Sequence, residues 1–206
     1  MFAKSTYIER RSLLKKLVGD GLIVIFANND APSNYPANAY KFRQDSSFLY
    51  FFGQSHPGYA GVLDIEAGED IFFGNDVDID DIIWMGPQPS IKDLAAQVGV
   101  QKSMPFCKLK EVVGQAIAQG RKIHFLPPYR YANMMLLEEL TGIKASAVKK
   151  YASVELIKAV VDIRAVKEAC EIEELDLACN IGYEMHTTAM RLCKPGVSEQ
   201  YITGVL

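Results

Sequence analysis

Short apolar blocks alternate with longer amphipathic stretches over positions 1–150 of the chain. Apolar blocks bounded by Gly, Pro or Asp are typical of buried strands, and stretches with a period of about 3.6 residues are typical of helices. The pattern predicts strands at 22–27, 60–66, 70–74, 101–106 and 122–126. It predicts helices at 6–18, 90–98, 109–119 and 129–140. Strands that alternate with helices indicate an α/β fold, a layered sheet with flanking helices, and the hairpin predicted at 60–74 makes that sheet mixed.

The first helix is predicted from a capping motif and an apolar face. Thr6 with Glu9 three residues later forms a capping box, and Gly19 ends the helix. Apolar residues supply the positions of one buried face: Ile8, Leu13, Leu14, Leu17 and Val18. Basic pairs are small and scattered, so we interpret them as solvated surface: Arg10-Arg11, Lys15-Lys16 and Lys149-Lys150.

Six of the fourteen residues at 40–53, here named the aromatic segment, are aromatic. A buried aromatic ring removes a large apolar area from water, so this segment is predicted to belong to the core. Its polar group of Arg43, Gln44 and Asp45 needs partners there, because an unpaired buried charge is costly. Arg43 offers a planar five-donor fork and Asp45 an acceptor, so we expect them to satisfy each other or nearby backbone groups.

Acidic and apolar residues alternate from Asp76 onward, with further carboxylates at Asp78 and Asp80. Three acids at this spacing suggest a calcium loop, but the EF-hand loop needs Gly at its sixth position and Glu at its twelfth. This chain has Asp81 and Pro87 at those positions, so we reject the calcium loop. The alternation instead predicts a strand edge or a solvated face.

The pattern changes near Ser153, after which only helical signals continue. Helices are predicted at 154–164 and 165–192, and Ser198 begins a third. Apolar positions of the longer helix fall on one stripe: Ile172, Leu175, Ala178, Cys179, Gly182 and Met185. The third helix stops at Leu206 with apolar residues that have no core to enter, so we expect the natural protein to continue. The predicted domains are an N-terminal α/β domain at 1–152, a linker helix at 153–165, and the first helices of a second domain at 166–206.

Composition and charge are ordinary for a globular protein: 49% of residues are hydrophobic, 23% are charged, and the net charge is -3. No basic stripe is visible, so nucleic acid is not an expected partner. No apolar run reaches the about 20 residues that a membrane span needs, so a membrane is not expected either. The four cysteines show neither CxxC spacing nor the density of a disulfide framework. We therefore predict reduced thiols in a cytoplasmic protein.

The sequence shows none of the common catalytic motifs. Ser55 and His56 resemble a nucleophile elbow only loosely, because the motif needs glycine where this chain has Pro57. His56, His124 and His186 have no histidine partner one helical turn away and no HExxH motif, and His124 is predicted to be a core residue. Neither GxGxxG nor a phosphate-binding GxxxxGKS/T motif occurs. The residues therefore predict no catalytic residue and no metal ligand in this chain.

Two widely separated parts of the sequence resemble one known family. The aromatic segment is similar to the signature Y-x-F/Y-R-Q-D/N-S-x-F-x-Y-x-x-G of Xaa-Pro aminopeptidases, which includes Arg43, Asp45, Tyr50 and Gly53. Trp84-Met85-Gly86 resembles the Trp-x-Gly motif of the same family. Later motifs resemble the segment that leads into the catalytic domain of this family: Arg164-Ala165-Val166-Lys167, Glu171-Ile172, Ala189-Met190 and Lys194-Pro195-Gly196-Val197-Ser198-Glu199.

The resemblance implies a creatinase/prolidase-type N-terminal domain followed by the first helices of a truncated pita-bread domain. It implies a metallo-aminopeptidase that removes an N-terminal residue preceding proline and forms a homo-oligomer such as a dimer. Two divalent metal ions, usually manganese, would be held by two Asp, one His and two Glu beyond this sequence. Arg43, Asp45, Tyr50 and Gly53 would then be structural. Trp84 would be a candidate substrate contact at a neighbouring subunit, with an indole that only packs or sits in an interface as the alternative. This chain alone would be inactive.

Departures from the family pattern leave the exact activity open. Ser47 stands where many relatives have an acid, and Glu168-Ala169-Cys170 replaces a Ser/Thr-Pro cap. The parent protein is therefore an Xaa-Pro aminopeptidase, a prolidase-like dipeptidase or a divergent relative. Two non-catalytic functions are alternatives: a peptide- or protein-binding module with a creatinase-like N-domain, and a dimerisation domain.

Overall fold

Five strands form one mixed sheet in the computed structural model, which describes residues 1–206. The strands are β1 Leu22–Phe26, β2 Ala60–Asp64, β3 Glu69–Gly74, β4 Lys102–Pro105 and β5 Ile123–Phe125. Their spatial order is β4-β3-β2-β1-β5. The pairs β1–β2 and β2–β3 are antiparallel, and the second of these is the predicted hairpin. The pairs β1–β5 and β3–β4 are parallel. The predicted mixed sheet is confirmed.

Nine α-helices accompany the sheet. They are α1 Lys4–Val18, α2 Ser46–Phe52, α3 Ile79–Met85, α4 Ile91–Gln97, α5 Leu109–Ala118, α6 Tyr131–Thr141, α7 Val154–Ala165, α8 Ala169–Leu192 and α9 Glu199–Val205. Two short 3-10 helices lie at Phe106–Lys108 and Val148–Tyr151. None of the helices combines the length and the apolar character that crossing a membrane requires.

Helices cover both faces of the sheet, and successive strand residues point to opposite faces. Leu22 and Val24 of β1 share an apolar cluster with residues of α5 and α6. Ile23 and Ile25 share a second cluster with residues of α1, α2, α4 and α7. The strand is apolar along its whole length because it lies between two layers of helices.

The first helix starts earlier than the capping motif predicts. α1 begins at Lys4, with Ala3 as its N-cap and no capping side chain. Thr6 and Glu9 lie inside the helix, so the predicted capping box is wrong. The Thr6 N–H instead donates to the carbonyl oxygen of Ala3 at 3.1 Å, a backbone bond that makes a side-chain cap unnecessary.

The buried face of α1 also differs from its prediction. Ile8, Leu13 and Leu17 are 43%, 44% and 47% exposed, whereas Arg10 and Arg11 are buried. The interpretation of this arginine pair as solvated surface is therefore wrong. The physical reason is that both guanidinium groups find carbonyl oxygens inside the domain, as described below.

A helix, α3, occupies the acid-rich segment whose alternation predicts a strand edge or a solvated face. The strand edge is wrong and the solvated face is right, since α3 has no buried residue. The Asp78 carboxylate caps the helix by accepting a hydrogen bond from the Asp81 N–H at 2.9 Å. Asp80 and Asp81 lie in the first turn, where negative charge stabilises the positive end of the helix dipole.

The chain divides into two compact units, Met1–Ile163 and Arg164–Leu206. The second unit contains α8 and α9, and neither helix has a buried residue. α8 begins later than predicted because Glu168 and Glu171 form a capping box at its start. The apolar stripe predicted on this helix is therefore unburied in the described chain. The domain limits 1–152, 153–165 and 166–206 stay a prediction.

Candidate functional site

Gln44 is the polar centre of the aromatic segment. Its buried Oε1 accepts hydrogen bonds from the backbone N–H groups of Asn28 and Asp45, both at 2.8 Å. Its Nε2 donates to the carbonyl oxygens of Gln54 at 3.2 Å and His56 at 2.7 Å. One side chain therefore holds the loop after β1 against both ends of α2, and all of its hydrogen-bonding groups are satisfied.

Asp45 and Arg43 use different partners. The Asp45 carboxylate caps α2 by accepting hydrogen bonds from the N–H groups of Ser47 and Phe48, both at 2.9 Å. Backbone is one of the two partners that the sequence predicts for this carboxylate. The Arg43 side chain is exposed, and its carbonyl oxygen accepts from Asn28 Nδ2 at 2.9 Å. The Arg43–Asp45 pair, which is the other arrangement that the sequence predicts, is not formed. The exposed guanidinium is solvated and needs no protein partner.

The rings of α2 supply the predicted core contacts. Phe48 and Phe52 stack with their centroids 5.2 Å apart, and each lies 6.1 Å from Phe72 of β3. The buried rings of the segment are Phe48, Tyr50, Phe51 and Phe52. Tyr40 is 65% exposed and Phe42 is half-buried, so the core role applies to α2 and not to the residues before it.

Gly53 ends α2 in the left-handed conformation, with φ of 64°. A Cβ at this position would lie 2.5 Å from Cζ of the Tyr7 ring. Any other residue would therefore need both a strained backbone and a shift of the ring. Of the four motif residues predicted to be structural, Asp45, Tyr50 and Gly53 shape this helix and its packing, whereas the Arg43 side chain lies in solvent.

Sequence reasoning missed the role of Arg11. Its buried guanidinium donates to the carbonyl oxygens of Phe51 at 2.8 Å and Val98 at 2.7 Å. Its Nε donates to Oδ2 of Asp70 at 2.8 Å. Burial lowers the pKa of Arg11, and the hydrogen bond and charge of Asp70 oppose that shift. Arg11 thus joins α1 to α2, to β3 and to the residue that follows α4.

Arg10 has a related role beside the aromatic segment. Its guanidinium carbon lies 3.8 Å from the centroid of the Tyr50 ring, and Nη1 donates to the Tyr50 carbonyl oxygen at 3.1 Å. One sequence signal was available: Tyr7 and Leu14, which are both buried, bracket the arginine pair at helical spacing. That spacing places the pair on the inner side of α1.

The exposed apolar side chains of α3 form a surface that we name the Trp84 ridge: Ile79, Ile83, Trp84 and Met85. Their exposed fractions are 75%, 71%, 87% and 58%. Contiguous apolar side chains in water mark interaction sites in many proteins. Three carboxylates cap the same helix or lie in its first turn, so α3 presents apolar surface and negative charge together.

A cleft of about 470 Å³ has Met85 of the Trp84 ridge in its wall, together with His56 and Tyr59. Burial and then the charge of Asp76 raise the pKa of Tyr59, so the phenol stays neutral and can donate a hydrogen bond at physiological pH. The lining includes no serine, threonine, cysteine or lysine that could act as a nucleophile. The polar side chains that the cleft offers to a ligand include Asp30, His56 and Tyr59, and Trp84 itself is not among its lining residues.

No group of three or more His, Cys, Asp or Glu side chains is placed to hold a metal ion. The four cysteines, Cys107, Cys170, Cys179 and Cys193, are free thiols. The Trp84 ridge and the cleft are the candidate binding surfaces of this chain.

Comparison with known proteins identifies the class of domain. Residues 7–124 match the family model described as "Aminopeptidase P, N-terminal domain". The chain belongs to this family. Its mixed sheet and flanking helices are the fold of that N-terminal domain.

The curated relatives are peptidases. The chain is 26% identical over 208 residues to Xaa-Pro aminopeptidase of Escherichia coli (strain K12). This alignment covers 95% of this chain and 46% of the relative. The chain is 24% identical over 200 residues to Xaa-Pro dipeptidase of Homo sapiens, covering 93% of this chain and 40% of the relative. The chain thus spans less than half the length of these relatives. The sequence resemblance to Xaa-Pro aminopeptidases is confirmed.

Solved structures agree with this assignment at the level of the fold. Aminopeptidase PepP of Pseudomonas aeruginosa superposes with a TM-score of 0.81 at 23% identity, covering 98% of this chain and 48% of that one. Escherichia coli aminopeptidase P in its low-pH form gives a TM-score of 0.77 at 24% identity, covering 99% and 48%. Both superpositions extend over nearly all of this chain.

Proposed function

We propose that this chain is the N-terminal part of a metal-dependent Xaa-Pro aminopeptidase that removes an N-terminal residue preceding proline. The observation that carries the proposal is the match of 95% of the chain to an Xaa-Pro aminopeptidase of about twice its length. In the complete protein, which we place in the cytoplasm, this part supplies structural support, oligomer contacts and a wall of the substrate site. Its substrates are peptides with proline in second position.

We propose no catalytic role in the hydrolysis for the residues of this chain. Two divalent metal ions, manganese by the family resemblance, would lower the pKa of a bound water in the catalytic domain. The side chains described here do not fit such a centre, since they form no group of three metal-ligating residues. No step of the reaction is assigned to them.

Trp84 is the residue that we propose to reach the substrate site. Its indole is 87% exposed on a helix that buries none of its residues, so it is available to a second subunit. In this proposal the Trp84 ridge lies against a neighbouring subunit of a homo-oligomer, and the indole forms one wall beside the bound peptide. Gln44, Arg11 and Gly53 hold the domain in the shape that presents α3.

Peptide hydrolysis tests whether the catalytic residues lie outside this chain. The 206-residue chain and the complete natural protein are each incubated with the peptide Arg-Pro-Pro and manganese chloride, and released arginine is measured. We expect release by the complete protein and none by the chain. Release by the chain with stoichiometric manganese would show that the proposed location of the chemistry is wrong.

Substitution of Trp84 tests the subunit contact. In the complete protein, Trp84→Ala is compared with Tyr131→Ala, which removes another exposed ring, 83% exposed, from α6. We expect Trp84→Ala to reduce the oligomeric mass in sedimentation and to raise the KM for Arg-Pro-Pro, and Tyr131→Ala to change neither. If the two variants have the same oligomeric mass and the same KM, Trp84 is not part of the proposed site.

A non-catalytic binding module is the second candidate function. The Trp84 ridge favours it, because an exposed apolar surface can bind a protein partner without any chemistry. The two candidates differ in the sequence of the complete protein. If that sequence lacks the two Asp, one His and two Glu of the family's metal centre, no two-metal site can form and the binding module is correct. If it contains all five, the peptidase is supported.

A further inference from the structure

The cleft that contains Met85 has a first wall that buried residues hold in place. This wall includes His56 and Tyr59, which lie between α2 and β2. The His56 carbonyl oxygen accepts from Nε2 of the buried Gln44 at 2.7 Å. The Tyr59 carbonyl oxygen accepts from the N–H of the buried Ala27 at 2.9 Å. The backbone of this wall is therefore fixed before a ligand binds.

A second wall is the segment that follows β3. Asn75 lines the cleft, and its Oδ1 accepts from the Phe106 N–H at 3.1 Å. The next residue, Asp76, accepts at Oδ1 from the Ile91 N–H at 2.7 Å, which joins the segment to the start of α4. Val77, which also lines the cleft, follows directly. The two side-chain hydrogen bonds thus hold this wall against the rest of the domain.

The Tyr59 ring gives the cleft an aromatic surface. The ring is half-buried, and its centroid lies 5.1 Å from that of Phe72. A Cβ at Gly74 would lie 2.6 Å from Cδ1 of the Tyr59 ring, so the absence of a side chain at Gly74 provides the space that the ring occupies. An aromatic ring attracts a cation that lies over its face. The fold therefore places a cation-binding surface in the cleft.

The charge around the cleft also favours a cationic occupant. Asp30 is the one carboxylate in the lining, and it forms no hydrogen bond or ion pair within the chain. The lining contains no lysine and no arginine. The segments 28–40, 53–60 and 74–91 supply every lining residue except Leu94. They contain five aspartates, one in the first segment and four in the last, and again no lysine or arginine.

The remaining lining suits a peptide with a long side chain. Asn75 Nδ2 and Gln88 Oε1 make no hydrogen bond within the chain, so they offer the donor and the acceptor that a peptide group needs. An arginine side chain combines an apolar stem with a planar guanidinium that pairs with carboxylates and stacks on aromatic rings. Its stem would meet the apolar part of the lining: Pro57, Val77, Met85, Pro89 and Leu94.

We propose that the cleft binds an arginine side chain of a peptide segment. The guanidinium pairs with Asp30 and stacks on Tyr59, the methylene stem contacts Val77 and Met85, and the Asn75 amide binds the peptide backbone. This binding needs neither metal ions nor the proposed aminopeptidase reaction.

NMR titration with a defined peptide tests the proposal. The isotope-labelled 206-residue chain is titrated with acetyl-Gly-Val-Arg-Val-Gly-amide, and the backbone amide chemical shifts are followed. The peptide has no proline, so its binding does not report on the proposed aminopeptidase reaction. The control peptide has citrulline in place of arginine, which keeps the shape and removes the charge. We expect the arginine peptide to shift the amides of Tyr59 and Asn75, and the control to bind at least about fivefold more weakly.

Two matched pairs of variants locate the contact. Asp30→Asn should weaken the arginine peptide at least about fivefold, while Asp162→Asn, at an exposed carboxylate of α7 outside the cleft, should leave its affinity unchanged. Tyr59→Leu should weaken it at least about threefold, while Tyr131→Leu, at a ring 83% exposed on α6, should not. If Tyr59→Leu does not fold, the Asp30 pair decides alone.

Three results would overturn the proposal. The first is the absence of shifts at Tyr59 and Asn75 with up to about 5 mM arginine peptide. The second is equal affinity for the arginine and citrulline peptides. The third is an equal effect of the two variants within either pair, because the peptide would then bind elsewhere on the chain.

Discussion

Arg11 is a single residue on which three parts of the first unit depend. Its donors satisfy the carbonyl oxygens of Phe51 and Val98, and its Nε pairs with Asp70. Arg11→Met keeps an apolar stem but leaves two buried carbonyl groups without a donor, and it leaves Lys15 as the remaining cationic partner of Asp70. We expect the free energy of unfolding to fall by about 3–5 kcal/mol, measured by urea denaturation. Lys16→Met, at an exposed position of the same helix, should change it by less than about 0.5 kcal/mol. Similar losses in both variants would contradict the role given to Arg11.

Asp64 gives a prediction for acid stability at the same scale. Arg121 donates from Nη1 to Asp64 Oδ2 at 3.0 Å and also pairs with Glu66. Burial raises the pKa of Asp64, but the hydrogen bonds from Arg121 and the Ala67 N–H together lower it by more than burial raises it. The net pKa therefore lies below the ordinary value. A depressed folded-state pKa contributes stability that is present above the unfolded pKa and is lost as the pH falls through the folded one.

Asp64→Asn removes this contribution. We expect the variant to be less stable at neutral pH by at most about 1 kcal/mol, because the pair is partly screened by solvent. The difference between the two proteins should shrink as the pH falls below about 4, the ordinary pKa of an aspartate, toward the lower folded-state pKa of Asp64. Urea midpoints measured across this range check the prediction. Parallel curves for the two proteins would mean that the Asp64 carboxylate is not linked to folding.

At the scale of elements, α2 and α3 form a natural comparison. Both helices have seven residues, and an aspartate caps each of them, Asp45 and Asp78. α2 buries four residues in the core, whereas α3 buries none. The same local signal therefore begins a core helix in one place and a solvent-exposed helix in the other.

Removing each cap should give different results for the whole domain. Asp45→Ala should lower the free energy of unfolding by about 1 kcal/mol, because α2 unfolds only with the core. Asp78→Ala should change global unfolding by less than about 0.5 kcal/mol, since α3 can fray without exposing buried surface. Urea denaturation of both variants measures the difference. Equal losses would show that α3 is part of the cooperative core.

Elements with strong local signals could be predicted from the sequence. The hairpin of β2 and β3, and α4 with its Ser90 cap, depend on turn residues and capping residues within a few positions. The helical spacing from Tyr7 and Leu14 indicates that Arg11 lies on the inner side of α1. Its partners Phe51 and Val98 could not be predicted in this way, because they lie 40 and 87 residues away. The motif at 40–53 identified the family, yet its spacing did not indicate that Asp45 caps a helix while Arg43 is exposed.

At the scale of the whole molecule, the two compact units differ in what stabilises them. The first has buried clusters on both faces of its sheet. The second has no buried residue in either helix, although α8 has 24 residues and large exposed apolar side chains such as Ile181 and Met190. Most helical stability in proteins comes from packing of an apolar face, so the second unit lacks its main source of stability in this chain.

Hydrogen exchange of the 206-residue chain should show this difference directly. Amides of β1 lie in an interior strand of the packed sheet and should exchange only through global unfolding. Amides in the middle of α8 should exchange at least about a hundredfold faster, because opening this helix exposes no buried surface. In the complete protein, the proposed catalytic domain would cover the apolar stripe of α8, and its protection should rise toward that of β1. Slow exchange of α8 in the 206-residue chain would contradict the first expectation. Unchanged fast exchange in the complete protein would contradict the proposal that α8 begins the catalytic domain.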